Sequence, residues 1–353
     1  MFEGKTIAAV VPCYNEQQQV IGVLRSMPLF VDCVIVVDDG SSDRTSDVVR
    51  EFAEAHDAGD RIVLIRKDDN IGVGRAIVEG YEEAVRRRID VTAVMAGDGQ
   101  MDPKQLRAIL RPVVAGEVDY AKANRLYYRR SMNSIPRHRY LGNAFLSMLT
   151  KIASGYWHVA DSQTGYTAIS LDALETVDLG GVYPSYGYPN DMLVRLNAYD
   201  FRVADVPIRA TYNIGEKSKM RLGHVIPRMS WLIFKRFLWR MWHKHVIQDF
   251  HPLVLFYAMS MLLLVLSVPL FVRMMYMWII HPGHTIGPIN ALMWALCMLW
   301  STQFSLFAMW FDMEMNRHLN PSIRRWRNER RREEGDLPVV APDEAGDAGD
   351  GQR

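Results

Sequence analysis

Residues 33–43 read Cys-Val-Ile-Val-Val-Asp-Asp-Gly-Ser-Ser-Asp. An apolar, β-branched run closes in two carboxylates, a Gly-Ser turn and an aspartate placed to cap a helix, the outline of a strand feeding a helix through a tight loop. Alone, this is as well explained by turn chemistry as by ligand binding. The neighbouring segments decide. A run at 6–11 ends in Val11-Pro12-Cys13-Tyr14-Asn15-Glu16, another lies at 61–65, and a fourth at 91–95 ends in Ala96-Gly97-Asp98-Gly99-Gln100-Met101-Asp102-Pro103. Between them, 16–27, 43–55 and 72–88 read as helices. This alternation predicts parallel βαβ units in a doubly wound α/β layer. Such sheets bind ligands beyond the carboxyl ends of their strands. Three strand ends rich in oxygen ligands suit a hard divalent cation bridging a diphosphate.

The 353 residues suffice for one sizeable domain and an appendage. The net charge of +1 hides an uneven spread: 221–244 and 317–332 are rich in Arg and Lys, while 335–353 is acidic, rich in Gly, Ala and Pro, and expected to be disordered. Cys13, Cys33 and Cys297 lack metal-site spacing and read as reduced core thiols. The first apolar run leads into Tyr14-Asn15-Glu16 with no small-residue cleavage site, so no secretory signal is expected. Residues 252–271 carry no charge and are long enough to span a bilayer, and a second uncharged run covers about 286–311. The two predict a transmembrane hairpin over 252–312; a buried helical pair in a soluble protein is the competing reading. Lys235, Arg236, Arg240 and Lys244 precede it, and Arg317, Arg324, Arg325 and Arg327 follow, which places both flanks, both termini and the first domain on the cytoplasmic side of a multi-pass protein. Residues 221–247 predict an amphipathic helix in the membrane interface, with an ordinary amphipathic helix on the soluble domain as the competing reading. Trp231, Phe234, Leu238 and Met241 would share its apolar face, with Arg228, Lys235, Arg236, Arg240 and Lys244 turned to anionic headgroups. The remaining divisions are a first domain over 1–220 and a tail over 313–353, basic and then acidic.

Five segments, VVPCYNE (10–16), VVDDGSSDRT (36–45), NIGVGRA (70–76), AGDGQMDP (96–103) and GEKSKM (215–220), stand in an order and spacing that resemble glycosyltransferase family 2, with its Rossmann-like GT-A fold for binding nucleotide sugars. The likeness is greatest to the polyprenyl-phosphate sugar transferases, such as dolichol-phosphate mannose and glucose synthases. It covers roughly residues 5–220 and extends to the hairpin. The resemblance implies a metal-dependent hexosyltransferase. A single sugar would pass from a GDP- or UDP-linked donor to a polyprenyl or dolichyl phosphate at the cytoplasmic membrane face. Its implied partners are the nucleotide sugar, the lipid and the membrane, with a homo-oligomer left open and no nucleic acid.

Residue by residue, the resemblance places Pro12, Tyr14, Glu16 and Asp39 around the nucleotide, with the backbone at Gly72 and Gly74 closing over it. Asp98 and Gln100 would hold Mg²⁺ or Mn²⁺ with the donor diphosphate, and Lys219, in a mobile acceptor loop, would neutralise the leaving group. Arg125 and Arg139 would grip the acceptor phosphate, a task suited to the planar guanidinium fork. The family's usual Asp-x-Asp metal motif has Ala96 at its first position here, with Asp102 nearby as a substitute, and this reads as a subgroup variant. Asp191 is a base, an acceptor-positioning group or the cap of the helix at 192–199; Asp161 is structural or supports the sugar pocket. A phosphate acceptor is already an anion, which makes a strong base optional. Two other readings remain: extension of a lipid-linked or cell-surface glycan, with Asp191 as an obligatory base, and a non-catalytic membrane scaffold.

Overall fold

Every residue of β1 (Ile7–Cys13) and β2 (Cys33–Asp38) is buried, which is why neither alternates polar with apolar positions. Side chains on a strand point alternately to its two faces. Ala9, Val11, Val34 and Val36 therefore pack with α1 (Val20–Ser26), α2 (Thr45–Ala55) and α4 (Leu106–Val114). Ala8, Val10, Ile35 and Val37 pack on the other side with α3 (Val73–Arg86), α6 (Leu171–Thr176) and α7 (Tyr188–Ala198). The sheet also contains β3 (Ile62–Arg66), β4 (Val91–Val94), β5 (Tyr120–Asn124), β6 (Thr167–Ser170) and β7 (Val203–Pro207), in the order β3-β2-β1-β4-β6-β5-β7. The expected doubly wound layer is present. The computed structural model describes residues 1–56, 59, 61–127, 137–208, 222–280 and 288–321; in the helices beginning at 137 and 222, side chains are described from 142 and 226 onward.

One strand departs from the parallel pattern and positions the site. β6 runs antiparallel to both β4 and β5, pairing Val94 with Thr167. The segment entering β6 therefore lies at the same sheet edge as the carboxyl ends of β1, β2, β4, β5 and β7. Tyr166 shows the result, donating its hydroxyl to the Asp102 carbonyl at 3.1 Å. A second departure is local. The helix expected from 16 begins at Val20, because the backbone before it is bonded elsewhere: Asn15 N–H donates to Ser41 Oγ and Glu16 N–H to Thr45 Oγ1.

Beyond the sheet come α5 (Arg137–Ser154), α8 (Leu222–Trp242) with a π-helical turn at His243–Gln248, and the pair α9 (Leu253–Ile280) and α10 (Pro288–Met315). The pair is long and apolar enough to cross a membrane, with stretches of mean hydropathy 2.4 and 1.4. At about 1.5 Å per residue each helix exceeds a hydrocarbon core of roughly 30 Å. Ser260 and Ser301 donate to each other's carbonyls at 2.9 Å, joining the two helices through small polar side chains. A buried pair would cover its apolar side chains, yet Leu255, Leu262, Val265, Leu292, Leu299 and Trp310 are exposed. Their outer surface is that of helices that could span a membrane.

α8 forms where expected, but its charges are placed differently. Met229, Leu232, Ile233, Phe237 and Met241 bury against Leu146, Ala153 and Val194 of α5 and α7. Trp231, Leu238 and Trp242 stay outside. Of the five cations assigned to headgroups, Arg236, Arg240 and Lys244 turn inward to Asp191, Asp312 and Asp200. The correction has a physical cause: a long cation pairs with whichever acid tertiary packing presents, and those acids are distant in sequence. Arg240 is wholly buried. It donates to Asp312 Oδ2 at 2.8 Å, Asn197 Oδ1 at 3.0 Å and the Ile152 carbonyl at 3.2 Å. Asn316 ties Asp312 to Asn197, and Lys244 reaches Asn197 and Asp200. A side chain on Gly155, whose φ is +73°, would collide with the Arg240 guanidinium.

Removing one partner strands a buried charge, at a cost of about 3–5 kcal/mol. Asp312→Ala should therefore sharply lower the unfolding temperature of the full chain in detergent, whereas Arg240→Met with Asp312→Leu should recover much of the loss. A single variant as stable as the parent would show that this cluster does not hold the hairpin.

Candidate active site

The cleft forms where the β1 and β2 loops are stitched together. Asn15 adopts a left-handed conformation (φ 58°), accepts from Ser42 N–H through Oδ1, and leaves Tyr14 exposed at the mouth. Pro12 lies one residue before the end of β1, its carbonyl receiving Gly97 N–H at 3.2 Å and so joining the β1 and β4 ends. The two aspartates of the Asp38-Asp39 pair divide their work. Asp38 is structural, accepting from Ser41 N–H and the Ser46 hydroxyl. Asp39 accepts from the N–H groups of Ile71 and Gly72 at 2.7 and 3.0 Å, pinning the turn into α3. Burial raises the Asp39 carboxyl above its ordinary range, against the pull of those two N–H groups. Glu16 is half-buried beside this loop.

Gly72 and Gly74 are explained by a close approach. Gly72 has φ +95°, and a Cβ there would lie 2.5 Å from the Pro184 carbonyl; one on Gly74 would collide with the Tyr183 carbonyl. Arg75 N–H donates to Pro184 O at 3.1 Å. Segment 183–184 thus lies directly on the glycine turn that Asp39 holds.

At the β4 end, Asp98 is half-buried, its Oδ1 accepting from Gln100 N–H at 3.0 Å, and burial raises its carboxyl. Asp102 accepts from Lys104 N–H, so one oxygen of the suggested substitute ligand caps the turn Pro103–Gln105. Among the described residues no three His, Cys, Asp or Glu side chains gather to hold a metal. A site with one firm carboxylate fits Mg²⁺ chemistry, since that ion uses one or two carboxylates and takes its other ligands from water and substrate phosphates.

The β5 end holds a buried charge cluster that the sequence reading did not assemble. Arg125 binds Asp161 through two side-chain contacts, Nε–Oδ2 at 2.8 Å and Nη2–Oδ1 at 3.1 Å. Burial alone would raise Asp161, but Arg125 and Lys122 outweigh it and hold the carboxyl below its ordinary range. Lys122, fully buried in β5, donates to the Thr164 carbonyl, and burial lowers its ammonium to about 8. Asp205, bonded to Asn124, is pushed up to about 6 by burial. A lysine inside an otherwise apolar strand was the available signal. Asp161 thus braces the Arg125 guanidinium at the β5 end. Beside it, Leu126, Asn143, Ser147, Lys151 and Ala160 line a cavity of about 310 Å³. Arg139 precedes Asn143 by one turn of α5, and its side chain lies outside the described residues, as does Lys219.

Asp191 lies in the first turn of α7 without capping it. Fully enclosed, it accepts from Tyr183 N–H at 2.6 Å and pairs with Arg236 at 2.7 Å and Arg195 at 3.4 Å. Burial raises its carboxyl while both guanidiniums pull the other way.

Residues 8–178 match the profile of glycosyl transferase family 2. The chain is 30% identical over 224 residues to an undecaprenyl-phosphate mannosyltransferase of Micrococcus luteus, covering 62% of this chain and 89% of that one. It is 27% identical over 244 residues to a UDP-N-acetylglucosamine–dolichyl-phosphate N-acetylglucosaminyltransferase of Methanococcus voltae, covering 66% and 95%. Identity with a polyprenol monophosphomannose synthase of Mycolicibacterium smegmatis is 29% over 221 residues, covering 60% and 79%. Among solved structures, glucosyl-3-phosphoglycerate synthase of Mycobacterium tuberculosis, crystallised with Mn²⁺, UDP and its product, superposes with a TM-score of 0.49 at 21% identity, covering 67% and 80%. The family profile over 8–178, together with a 30% identical relative matched over 89% of its length, makes the chain a glycosyltransferase and a member of glycosyltransferase family 2.

Proposed function

We propose that this enzyme transfers one sugar from a GDP- or UDP-linked donor to a polyprenyl phosphate at the cytoplasmic face of a membrane. The observation that carries the reading is the attachment of two lipid-facing helices to the catalytic layer through Arg240 and Asp312. A polyprenyl chain keeps its tail in the bilayer and presents its phosphate only at headgroup level, so a transferase using it needs its cleft held at that plane. The exposed Trp231, Leu238 and Trp242 on α8 suit such an interface. Relatives named for dolichyl-, undecaprenyl- and polyprenol-linked transfer support the same acceptor class.

The chemistry asks little proton transfer of the protein. A phosphate acceptor attacks the anomeric carbon already ionised, so the enclosure of Asp191 between two arginines is no obstacle. Glycan extension would require a base at an open position, which Asp191 does not occupy. Tyr14, Glu16 and Asp39 with the Gly72–Gly74 turn would seat the nucleoside, Arg125 and Arg139 would hold the acceptor phosphate, and Lys219 would meet the departing diphosphate. Bound Mg²⁺ or Mn²⁺, held by Asp98 with Gln100 beside it, would supply positive charge where the leaving diphosphate gathers negative charge.

Two outcomes test this proposal. Asp98→Ala, or EDTA, should lower transfer by about a hundredfold or more, measured as radiolabelled sugar extracted with the lipid phase. Full activity under either condition would remove the metal from the account. Arg139→Ala should raise the KM for polyprenyl phosphate while leaving nucleotide affinity intact. A collapse of nucleotide affinity with unchanged lipid dependence would reverse that assignment.

A further inference from the structure

The enclosed Asp191 sits between two parts of the chain that are far apart in sequence. On one side is α8, whose outer face carries Trp231, Leu238 and Trp242. On the other is the turn that Asp39 holds. Arg236, from α8, donates to the Gly181 carbonyl at 2.8 Å and to Asp191 Oδ2 at 3.0 Å, with Nε 2.7 Å from Asp191 Oδ1. The same Asp191 Oδ2 accepts Tyr183 N–H at 2.6 Å. Leu232, one turn earlier on α8, packs so closely over Gly187 that a side chain there would collide with it. Segment 181–187 is thus clamped from α8 at both ends. Its far side presses the Tyr183 and Pro184 carbonyls against Gly74, Gly72 and Arg75 N–H. The same turn delivers the Ile71 and Gly72 N–H groups to Asp39.

We propose that Arg236 is a positioning residue for the donor: from the helix beside the membrane it holds segment 181–187 as the back wall of the nucleotide pocket. The inference rests on the reading of the strand-end cleft as that pocket. Segment 181–187 belongs to no strand, so its position depends on these side-chain bonds and on packing. Arg236 is the adjustable member. Arg195 also donates to the Gly181 carbonyl, to Asp178, and pairs with Asp191, so the segment stays tethered without Arg236. Losing Arg236 should loosen the wall without unfolding the domain. A lysine there keeps the charge opposite Asp191 but not the fork that reaches Asp191 and Gly181 together.

The test uses the full chain in detergent with Mn²⁺, and calorimetric titration of UDP and GDP. Arg236→Gln should weaken the nucleotide that the parent prefers by roughly tenfold and raise the donor KM similarly, with the lipid KM unchanged. Arg236→Lys should fall between the two. A merely structural arginine would lower the unfolding temperature and the active fraction, leaving Kd and both KM values as they were, and that result overturns the proposal. Should Arg236→Gln fail to fold, Arg236→Lys decides alone: an unchanged nucleotide Kd overturns the proposal, and a weakened one with unchanged lipid KM supports it. A parent chain that binds neither nucleotide overturns the donor-pocket reading itself, and this proposal with it.

Discussion

A guanidinium with no exposed surface cannot stay charged in a protein interior unless other groups replace its water. Arg240 answers that demand through its two terminal nitrogens with partners from three elements: the Ile152 carbonyl of α5, Asn197 of α7, and, from α10, Asp312 held in turn by Asn316. Hydrogen bonds to a charge are directional and the penalty for missing them is large, so the cluster strongly constrains how these elements meet. The two long apolar helices are therefore tied to the catalytic layer, and everything proposed about acceptor presentation depends on that attachment.

The same device recurs nearer the cleft. Asp191 with Arg195 and Arg236, and Asp161 with Arg125 and Lys122, are carboxylates buried among cations where loops meet helices or strands. None of these loops belongs to the sheet, so ladder hydrogen bonds cannot position them. Ion pairs braced by backbone N–H groups do so instead. This explains why several carboxylates that look catalytic in sequence are occupied by structure. A glycosyltransferase whose acceptor arrives ionised can use them so, because it has little need of a base.

The sheet itself supplies the rest of the geometry. Reversing a single strand, β6, carries the segment containing Asp161 and Tyr166 to the edge where β1, β2, β4, β5 and β7 end. With the end of β3, which runs parallel to β2, six strand ends and one strand beginning share a rim, with apolar helices covering both faces behind it. The polar residues collect there because it is the part of the layer the helices leave open.

Much of this was legible in the sequence. Strand periodicity, Gly-Ser turns and uncharged runs are local properties, so the parallel layer, the helices α2, α3 and α8, and the spanning pair could be read from residues close together in the chain. The motif residues Asp39 and Asp98 could be placed on strand ends, and Gly72 at a helix start, for the same reason. What the sequence could not show was partnership. Arg236, Arg240 and Lys244 look like a cationic stripe for lipid headgroups, and only packing brings Asp191, Asp312 and Asp200 to them. The resemblance has the Gly72 and Gly74 backbone closing over the nucleotide, and the carbonyls that exclude a side chain there come from Tyr183 and Pro184. Local pattern determined which elements form, because backbone and side-chain periodicity act over a few residues. Tertiary structure alone decided which charges meet, because ion pairing depends on distance in space and is blind to distance along the chain.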